Sequence, residues 1–278
     1  MKGKLWGKGA ALRPLTRMLW AGALVLLAGA LAGCPSQKTT VETGPAASTG
    51  VSGTTAPATT ARTSPAGPVK EVSFKTADGW TIVGDLYTPT GTSQGTVILL
   101  HQRSGAAGDW QPLCQELQKA GLTALAIDLR GAGRSTQGPG PTGDNAPWDT
   151  TGDIAAAINS LPGKRPVCLA GASYGANNAL IYAAAHPDQV KGLALFSPGA
   201  NYHGLDALAP ARQYRGPLII FHAQNDNIAD GGPQQINNIT VSTDHTLMVI
   251  SGSGHGTQLL QPDVIAKAVA FFTRVCKS

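Results

Sequence analysis

The sequence predicts an α/β domain, with a mostly parallel central sheet of about eight strands and helices on both of its faces. One sequence pattern and one general rule support this prediction. Between residue 69 and the C terminus, short apolar runs typical of buried strands alternate with longer stretches of helical periodicity. Strands that are separated by helices generally pair in parallel, and a parallel sheet is covered on both faces.

The first two strands flank Ala77-Asp78-Gly79, a turn signal that predicts an antiparallel hairpin at one edge of the sheet. Each later strand is an apolar run next to a helical stretch. The predicted strands cover residues 69–75, 80–87, 96–101, 123–127, 167–172, 192–196, 218–222 and 246–250. The predicted helices cover residues 110–120, 151–161, 176–186, 205–212, 233–239 and 258–275.

The N-terminal residues 1–33 have the layout of an export signal, with basic residues followed by an uncharged apolar stretch at 18–32. Leu31-Ala32-Gly33-Cys34 resembles the lipobox of bacterial lipoproteins. This resemblance implies cleavage before Cys34, acylation of Cys34, and a lipid anchor on the extracytoplasmic face of a bacterial membrane. A transmembrane helix or an ordinary signal peptide is the alternative, although the apolar stretch is short for a span of about 20 residues.

Residues 34–68 are rich in Thr, Ala, Pro and Gly and hold few large apolar side chains, which predicts a flexible linker. The folded domain is therefore expected over residues 69–278, a length sufficient for one substantial core. Five of the 21 basic residues precede Cys34, so 16 remain against 16 acidic residues. This balance gives no electrostatic support for a nucleic-acid partner.

A Gly-x-Ser-x-Gly pentapeptide, Gly171-Ala-Ser-Tyr-Gly175, lies between an apolar strand and a helix. This context is typical of a nucleophile elbow, in which a sharp turn holds a serine in a strained backbone conformation. Glycines are needed on both sides because larger side chains would collide with neighbouring backbone. Ser173 is therefore the predicted nucleophile.

A serine needs a neighbouring base, and that base needs an acid that orients it. Asp226 follows an apolar strand directly and is preferred to Asp230, whose place further along the loop is less well fixed by the strand. His255 lies in a run of small residues after the last strand and is the predicted base. No HExxH pair or cysteine cluster is present, so neither a metal nor another cofactor is expected.

The segment Asp128-Leu-Arg-Gly-Ala-Gly-Arg-Ser135 resembles the turn that follows the fourth strand of many α/β hydrolases, where the aspartate is structural. Together with the elbow, Ser197-Pro-Gly199 and the ordered acid and base, it makes the chain similar to the α/β-hydrolase superfamily. The dienelactone-hydrolase-like carboxylesterases are the branch it resembles, although dienelactone hydrolase itself has a cysteine nucleophile. The resemblance implies the α/β-hydrolase fold.

The same resemblance implies an oxyanion hole built from two backbone amides. Tyr174 follows the nucleophile and supplies the first. The second is assigned to Arg103, although Gln102 stands where the family usually has glycine. The Arg103 side chain is expected either to meet an anionic substrate or to form a surface salt bridge.

Residues 197–204 leave no room for a large helical cap, so an open site is expected, with residues 136–149 as a small lid. Five side chains are candidate pocket walls, and packing beneath loops is the alternative for the aromatic ones. They are Gln102, Trp110, Trp148, Asn201 and Tyr202.

Three cysteines remain besides Cys34. Cys168 falls within a strand and is expected to be a small buried hydrophobe. Cys114 and Cys276 lie on helices that pack on the same side of the sheet in the family fold, and a disulfide between them is permitted outside the cytoplasm. Spacing alone leaves this pairing open.

The function that these patterns favour is hydrolysis of a small carboxylic ester, thioester or lactone by a serine hydrolase through an acyl-enzyme. A peptidase, a polyester depolymerase, and a non-catalytic binding or scaffold lipoprotein are the alternatives, because a fold does not fix a substrate. Oligomeric state and the choice between inner and outer membrane are left open.

Overall fold

The computed structural model describes residues 67–161 and 166–277. The predicted signal peptide, the lipidated Cys34 and nearly all of the linker lie outside the described residues. Among the residues that are described, no helix has both the length and the apolar character required to cross a membrane.

Eight strands form one sheet, and this confirms the predicted architecture. They are β1 Val69–Lys75, β2 Thr81–Tyr87, β3 Thr96–Leu100, β4 Thr123–Asp128, β5 Val167–Ala172, β6 Val190–Phe196, β9 Leu218–Ala223 and β10 His245–Ile250. Their order across the sheet is β1-β2-β4-β3-β5-β6-β9-β10. Pairing is antiparallel from β1 to β2 and from β2 to β4, and parallel throughout the rest. The carboxyl ends of β5, β6 and β9 therefore meet at one edge of the sheet.

Helices cover both faces of the sheet. They are α1 Gln111–Lys119, α2 Thr151–Asn159, α3 Tyr174–Ala185, α4 Leu208–Ala211, α5 Gly232–Ile239 and α6 Pro262–Val275. In β3, Val97 and Leu99 pack with α1 and α6, whereas Ile98 and Leu100 pack with α2 and α3. Successive strand residues point to opposite faces, so a strand covered on both sides is apolar throughout.

The segment after β6 differs from the predicted helix at 205–212. It forms a small antiparallel hairpin, β7 Asn201–Tyr202 with β8 Leu205–Asp206, and only then the short α4. His203 and Gly204 both adopt positive φ angles, of 49° and 93°, and thereby reverse the chain. The Asn201 side chain accepts a hydrogen bond of 2.8 Å from the Gly204 amide, which supports the turn.

The last helix also begins later than residue 258. A 3₁₀ turn spans Gly256–Leu259, and α6 starts at Pro262. Proline suits the first turn of a helix because its fixed φ is helical and its missing N–H is not needed there.

The cysteine pairing differs from the expectation. Cys276 forms a disulfide with Cys168, with 6.0 Å between their Cα atoms, and Cys114 is a buried free thiol. All three belong to the cluster packed between the sheet and helices α1 and α6. The Cys168 side chain points from β5 toward this face, where α6 ends, so the strand cysteine meets Cys276. Burial raises the pKa of the Cys114 thiol.

The turn after β4 is built around Asp128, in agreement with the structural role expected for it. Its carboxylate accepts hydrogen bonds from the Ala107 amide at 2.7 Å and from Arg134 Nε at 2.7 Å. A side chain on Gly133 would collide with this carboxylate. Asp128 therefore holds the segment after β3 against the segment after β4, both of which border the candidate site.

Candidate active site

Ser173 lies at a sharp turn between β5 and α3, with φ of 53° and ψ of −123°. A side chain on Gly171 would collide with the backbone of Gly175 and Ala176, and one on Gly175 with the carbonyl of His101. The Ser173 amide donates to the Phe196 carbonyl at 2.8 Å. A non-glycine residue in this conformation costs about 1–3 kcal/mol, and the surrounding packing holds it there.

Asp226 and His255 meet at the carboxyl end of β9. His255 Nδ1 lies 3.0 and 2.9 Å from the two carboxylate oxygens of Asp226. The amides of Ile228 and Ala229 donate to the same carboxylate at 3.1 and 3.3 Å. Asp230, the alternative acid, is exposed with φ of 43°. The structure therefore pairs His255 with Asp226 and leaves Asp230 outside the pair.

The pKa of the Asp226 carboxyl is set by two opposing effects. Burial raises it, but hydrogen bonds from Ser197, His255 and Ala229, together with the nearby imidazole, outweigh burial and hold the pKa below its ordinary value. Asp226 is therefore ionised at neutral pH and can hold the Nδ1–H of His255 in one orientation.

Ser197 belongs to this network, a role that was not predicted for it when Ser197-Pro-Gly199 was noted as part of the family resemblance. It is buried, adopts a φ of 52° directly after β6, and accepts a 3.0 Å hydrogen bond from the Gly256 amide through Oγ. Its hydroxyl also interacts with the Asp226 carboxylate. Ser197 thus joins the acid to the loop that carries His255. A polar residue directly after a strand next to β5 was the available signal.

The loop of His255 reaches the elbow through its next residue. A Cβ on Gly256 would stand 3.3 Å from the side chain of Ala172, the residue immediately before Ser173. Among the hydrogen bonds of the described residues, none joins Ser173 to His255. The Ser173 side chain instead lies near the Tyr202 hydroxyl, with which it interacts electrostatically. The hydrogen bond between a catalytic serine and its base is often long in unliganded enzymes, and it shortens when substrate binds.

The loop after β3 is fixed by His101. Its buried ring accepts a hydrogen bond from the Leu129 amide at Nε2, at 2.9 Å, and Nδ1 lies 2.7 Å from the Gln102 carbonyl. Burial lowers the pKa of this imidazole, so the ring is neutral at pH 7, with its proton on Nδ1. His101 thereby sets the path of the chain through Gln102 and Arg103.

Two backbone amides that the sequence assigned to the oxyanion hole have no acceptor among the described residues. Tyr174 is the first residue of α3, and its amide has no acceptor within the helix. Within residues 67–161 and 166–277, no protein group accepts a hydrogen bond from the Arg103 amide. These are the two donors expected from the sequence.

The fold explains why a glutamine, rather than a glycine, stands at position 102. Its Oε1 atom accepts hydrogen bonds from the amide and the hydroxyl of Thr257, at 2.7 and 3.0 Å. The glutamine therefore ties the loop after β3 to the loop that carries His255, which a glycine at the same position would not do.

The Arg103 side chain forms no salt bridge with the described residues, contrary to one of the two expectations. Its guanidinium donates to the carbonyls of Gly143, Asp144 and Ala146, at 3.3, 2.5 and 3.1 Å, and stands 4.5 Å from the centre of the Trp148 ring. It therefore holds the end of the 136–149 loop against the domain rather than meeting a carboxylate of the protein.

The other end of that loop is also held down. Gln137 accepts a 2.8 Å hydrogen bond from the Thr81 amide through its carbonyl, and a side chain on Gly138 would collide with the ring of Trp80. Between this loop and the segment after β3 lies a cavity of about 330 Å³, bordered by Arg103, Arg130 and Tyr174.

The predicted pocket residues separate into two groups. Trp110 is wrong as a pocket wall, because it is fully buried in the α1 and α6 core, with its ring centre 5.3 Å from that of Phe196. Asn201 is exposed and supports the hairpin turn. Trp148 stacks on His203 at 4.1 Å and Tyr202 borders Ser173, so both lie around the site.

In the described part of the chain, no group of three His, Cys, Asp or Glu side chains could hold a metal ion.

Comparison with known proteins agrees with this architecture. Residues 95–211 match a family model described as the alpha/beta hydrolase fold. The chain is 31% identical over 142 residues to a monoacylglycerol lipase of Mycolicibacterium smegmatis, a match that covers 50% of each chain. It is 29% identical over 172 residues to a putative protein-lysine deacylase, ABHD14B, of Rattus norvegicus, covering 60% of this chain and 78% of that protein. The chain thus spans about half the length of the lipase.

Solved structures share the fold at low sequence identity. A cold-adapted esterase from an Arctic intertidal metagenomic library matches with a TM-score of 0.62 and 23% identity, over 75% of this chain and 94% of that one. Dienelactone hydrolase of Anabaena variabilis matches with a TM-score of 0.62 and 18% identity, over 76% of this chain and 99% of that one. Sheet order, elbow and matched segment define a protein of the α/β-hydrolase fold.

Replacing Ser197 by alanine tests the link between the acid and the histidine loop. A carboxyl whose pKa is lowered on folding stabilises the folded state above its unfolded pKa, and this stabilisation is lost as the pH falls through the folded pKa. Ser197→Ala removes one group that lowers the pKa of Asp226. We expect it to reduce the free energy of unfolding by about 1–3 kcal/mol at pH 7, and by less at pH 3.

Urea unfolding at both pH values measures this effect, with Ser253→Ala, at an exposed position, as the control. In an Asp226→Asn background the pH dependence of the Ser197→Ala loss should disappear. An equal loss at pH 7 and pH 3 in the otherwise native chain would show that Ser197 does not act on the charge of Asp226.

Proposed function

We propose that the protein is a serine hydrolase of carboxylic esters, thioesters or lactones, with Ser173 as nucleophile, His255 as base and Asp226 as the acid that orients it. The observation that carries the proposal is the placement of the strained Ser173 turn at the same sheet edge as the His255–Asp226 pair. Nucleophile, base and acid in this chain order are typical of α/β hydrolases.

In the proposed reaction, Ser173 Oγ attacks the acyl carbon and its proton passes to His255 Nε2. Asp226 stabilises the resulting imidazolium through Nδ1–H. The amides of Tyr174 and Arg103 donate to the oxygen that becomes negatively charged, and the N terminus of α3 favours the same charge. The leaving oxygen or sulfur takes the proton from His255, and water then cleaves the acyl-enzyme by the reverse sequence of proton transfers.

The surroundings of the site support small uncharged substrates. The Arg103 guanidinium is already bonded to three carbonyls, so an anionic substrate would have to compete with them. Only a two-strand hairpin separates β6 from α4, and it leaves the approach to Ser173 without a large helical cap. The names of the sequence relatives, among them a monoacylglycerol lipase and a lipase, support esters as the substrate class.

We also propose that the domain acts outside the cytoplasm, anchored by lipid on Cys34. The basic and apolar segments before the Leu31-Ala-Gly-Cys34 motif support export. The Cys168–Cys276 disulfide supports it independently, because disulfides persist in oxidising compartments and are rare in the bacterial cytoplasm.

Kinetics of matched variants test the catalytic assignment. Ser173→Ala and His255→Ala should each lower kcat for short p-nitrophenyl esters by roughly 10⁴-fold or more, because both remove the attacking group or its base. Asp226→Asn should lower kcat by roughly 10³–10⁴-fold. Asp230→Asn, at the exposed alternative position, should leave kcat within about twofold. Turnover by Ser173→Ala equal to that of the native chain would exclude Ser173 as the nucleophile.

Metabolic labelling tests the anchor. The full chain expressed in bacteria should incorporate labelled palmitate and sediment with membranes, whereas Cys34→Ser should incorporate none, because the acylated thiol is absent. A Cys114→Ser chain, altered at a buried cysteine of the domain, is the control and should keep the label. Labelling that persists in Cys34→Ser would place the lipid elsewhere and contradict the lipoprotein assignment.

A further inference from the structure

We propose that Tyr202 is a further catalytic residue, whose hydroxyl lies near Ser173 in the free enzyme and donates a hydrogen bond to the tetrahedral intermediate during turnover. This inference rests on the proposed hydrolase function. Tyr202 lies outside the predicted triad and outside the predicted oxyanion loop.

The position of the hydroxyl is the first observation. Tyr202 ends β7, on the hairpin that follows the strand next to the nucleophile strand. Its hydroxyl donates to the Ser197 carbonyl at 3.3 Å and lies near enough to the Ser173 side chain for the two to interact electrostatically. The long bond to Ser197 leaves the phenol able to turn toward a better acceptor.

The hairpin that carries Tyr202 is rigidly held. Asn177, on the first turn of α3, donates from its side chain to the carbonyls of Gly199 and Leu205 at 3.0 and 2.9 Å, and accepts from the Gly199 amide at 3.1 Å. The Tyr202 ring fills the space that a side chain on Gly199 would need. The nucleophile turn and the tyrosine therefore depend on the same helix.

The far end of the hairpin is held from the opposite side of the site. His203, the residue after Tyr202, stacks on Trp148 with ring centres 4.1 Å apart and planes inclined by 16°. Trp148 in turn contacts the edge of the Tyr174 ring and lies under the Arg103 guanidinium. Tyr202 is thus fixed by contacts at both ends, and a catalytic donor needs such preorganisation.

The phenol is in the form that donates. Burial raises the pKa of Tyr202 to about 12, so its proton is retained throughout the neutral range. In the free enzyme this proton is donated to the Ser197 carbonyl.

The reaction offers the phenol a stronger hydrogen-bond acceptor as negative charge develops on the carbonyl oxygen. As Ser173 Oγ bonds to the acyl carbon, its proton moves to His255 and the carbonyl π electrons move onto the carbonyl oxygen. The Tyr202 O–H can then exchange its long hydrogen bond to the Ser197 carbonyl for one to a negatively charged oxygen of the adduct. No proton is transferred from the phenol, so the balance of the reaction is unchanged. A donor that acts only on the intermediate raises kcat rather than tightening substrate binding.

A Tyr202→Phe variant separates this role from that of a pocket wall, because phenylalanine keeps the ring and removes only the hydroxyl. We expect kcat for p-nitrophenyl butyrate to fall by about 10²-fold with KM within about twofold. Inhibition by an alkyl trifluoromethyl ketone, which forms a tetrahedral adduct with serine, should weaken by a similar factor. Tyr214→Phe, whose hydroxyl lies 3.4 Å from the Pro217 carbonyl, is the matched control and should change neither.

A native kcat and a native inhibition constant in Tyr202→Phe would overturn the inference while leaving the hydrolase proposal intact. Turnover by Ser173→Ala equal to that of the native chain, or no turnover by the native chain, would instead refute the hydrolase function and this inference with it.

If Tyr202→Phe does not fold, replacement of Tyr202 by 3,5-difluorotyrosine provides the test. It keeps the shape but ionises at lower pH, so kcat should fall in the alkaline range where native turnover persists. An unchanged pH profile would overturn the inference.

Discussion

The positive φ of Ser173 is the constraint on which the rest of the site depends. Ser173 carries a side chain and still occupies this conformation, because the close packing of β5 and α3 around the turn holds the backbone there. Gly171 and Gly175 are required by the backbone atoms that approach them, and the Ser173 amide is bonded to the end of β6. The turn places Ser173 at the carboxyl end of β5 and directly before the N terminus of α3.

The loops around this turn are joined to one another rather than only to the sheet. Gln102 links the segment after β3 to the histidine loop, and Ser197 links the end of β6 to both that loop and Asp226. Arg103 and Trp148 extend the connections to the loop after β4. Each of these contacts joins two segments far apart in sequence, so the site is preorganised by several loops whose positions depend on each other.

This arrangement also explains which features could be predicted from the sequence. The strands, the glycines of the elbow and the carboxyl-end positions of Asp226 and His255 follow from local patterns, because periodicity and turn chemistry act within a few residues. The Cys168–Cys276 pair and the burial of Trp110 do not, because they depend on which way a side chain points after the helices have packed. The role of Ser197 and the hairpin conformation around Tyr202 were missed for a related reason. Their roles arise from contacts across the sheet edge, and positive φ angles at Ser197, His203 and Gly204 are not evident from residue type except at the glycine.

The most direct test of the central claim, that Ser173 is the activated nucleophile of this edge, is to locate the adduct formed with a fluorophosphonate probe. The native chain should take up one phosphonyl group per molecule at neutral pH, and peptide mass spectrometry should place it on the peptide that holds Ser173. Labelling should be slow in His255→Ala, because no base is then available to accept the serine proton. An unlabelled native chain, or an adduct on any other residue, would contradict the claim.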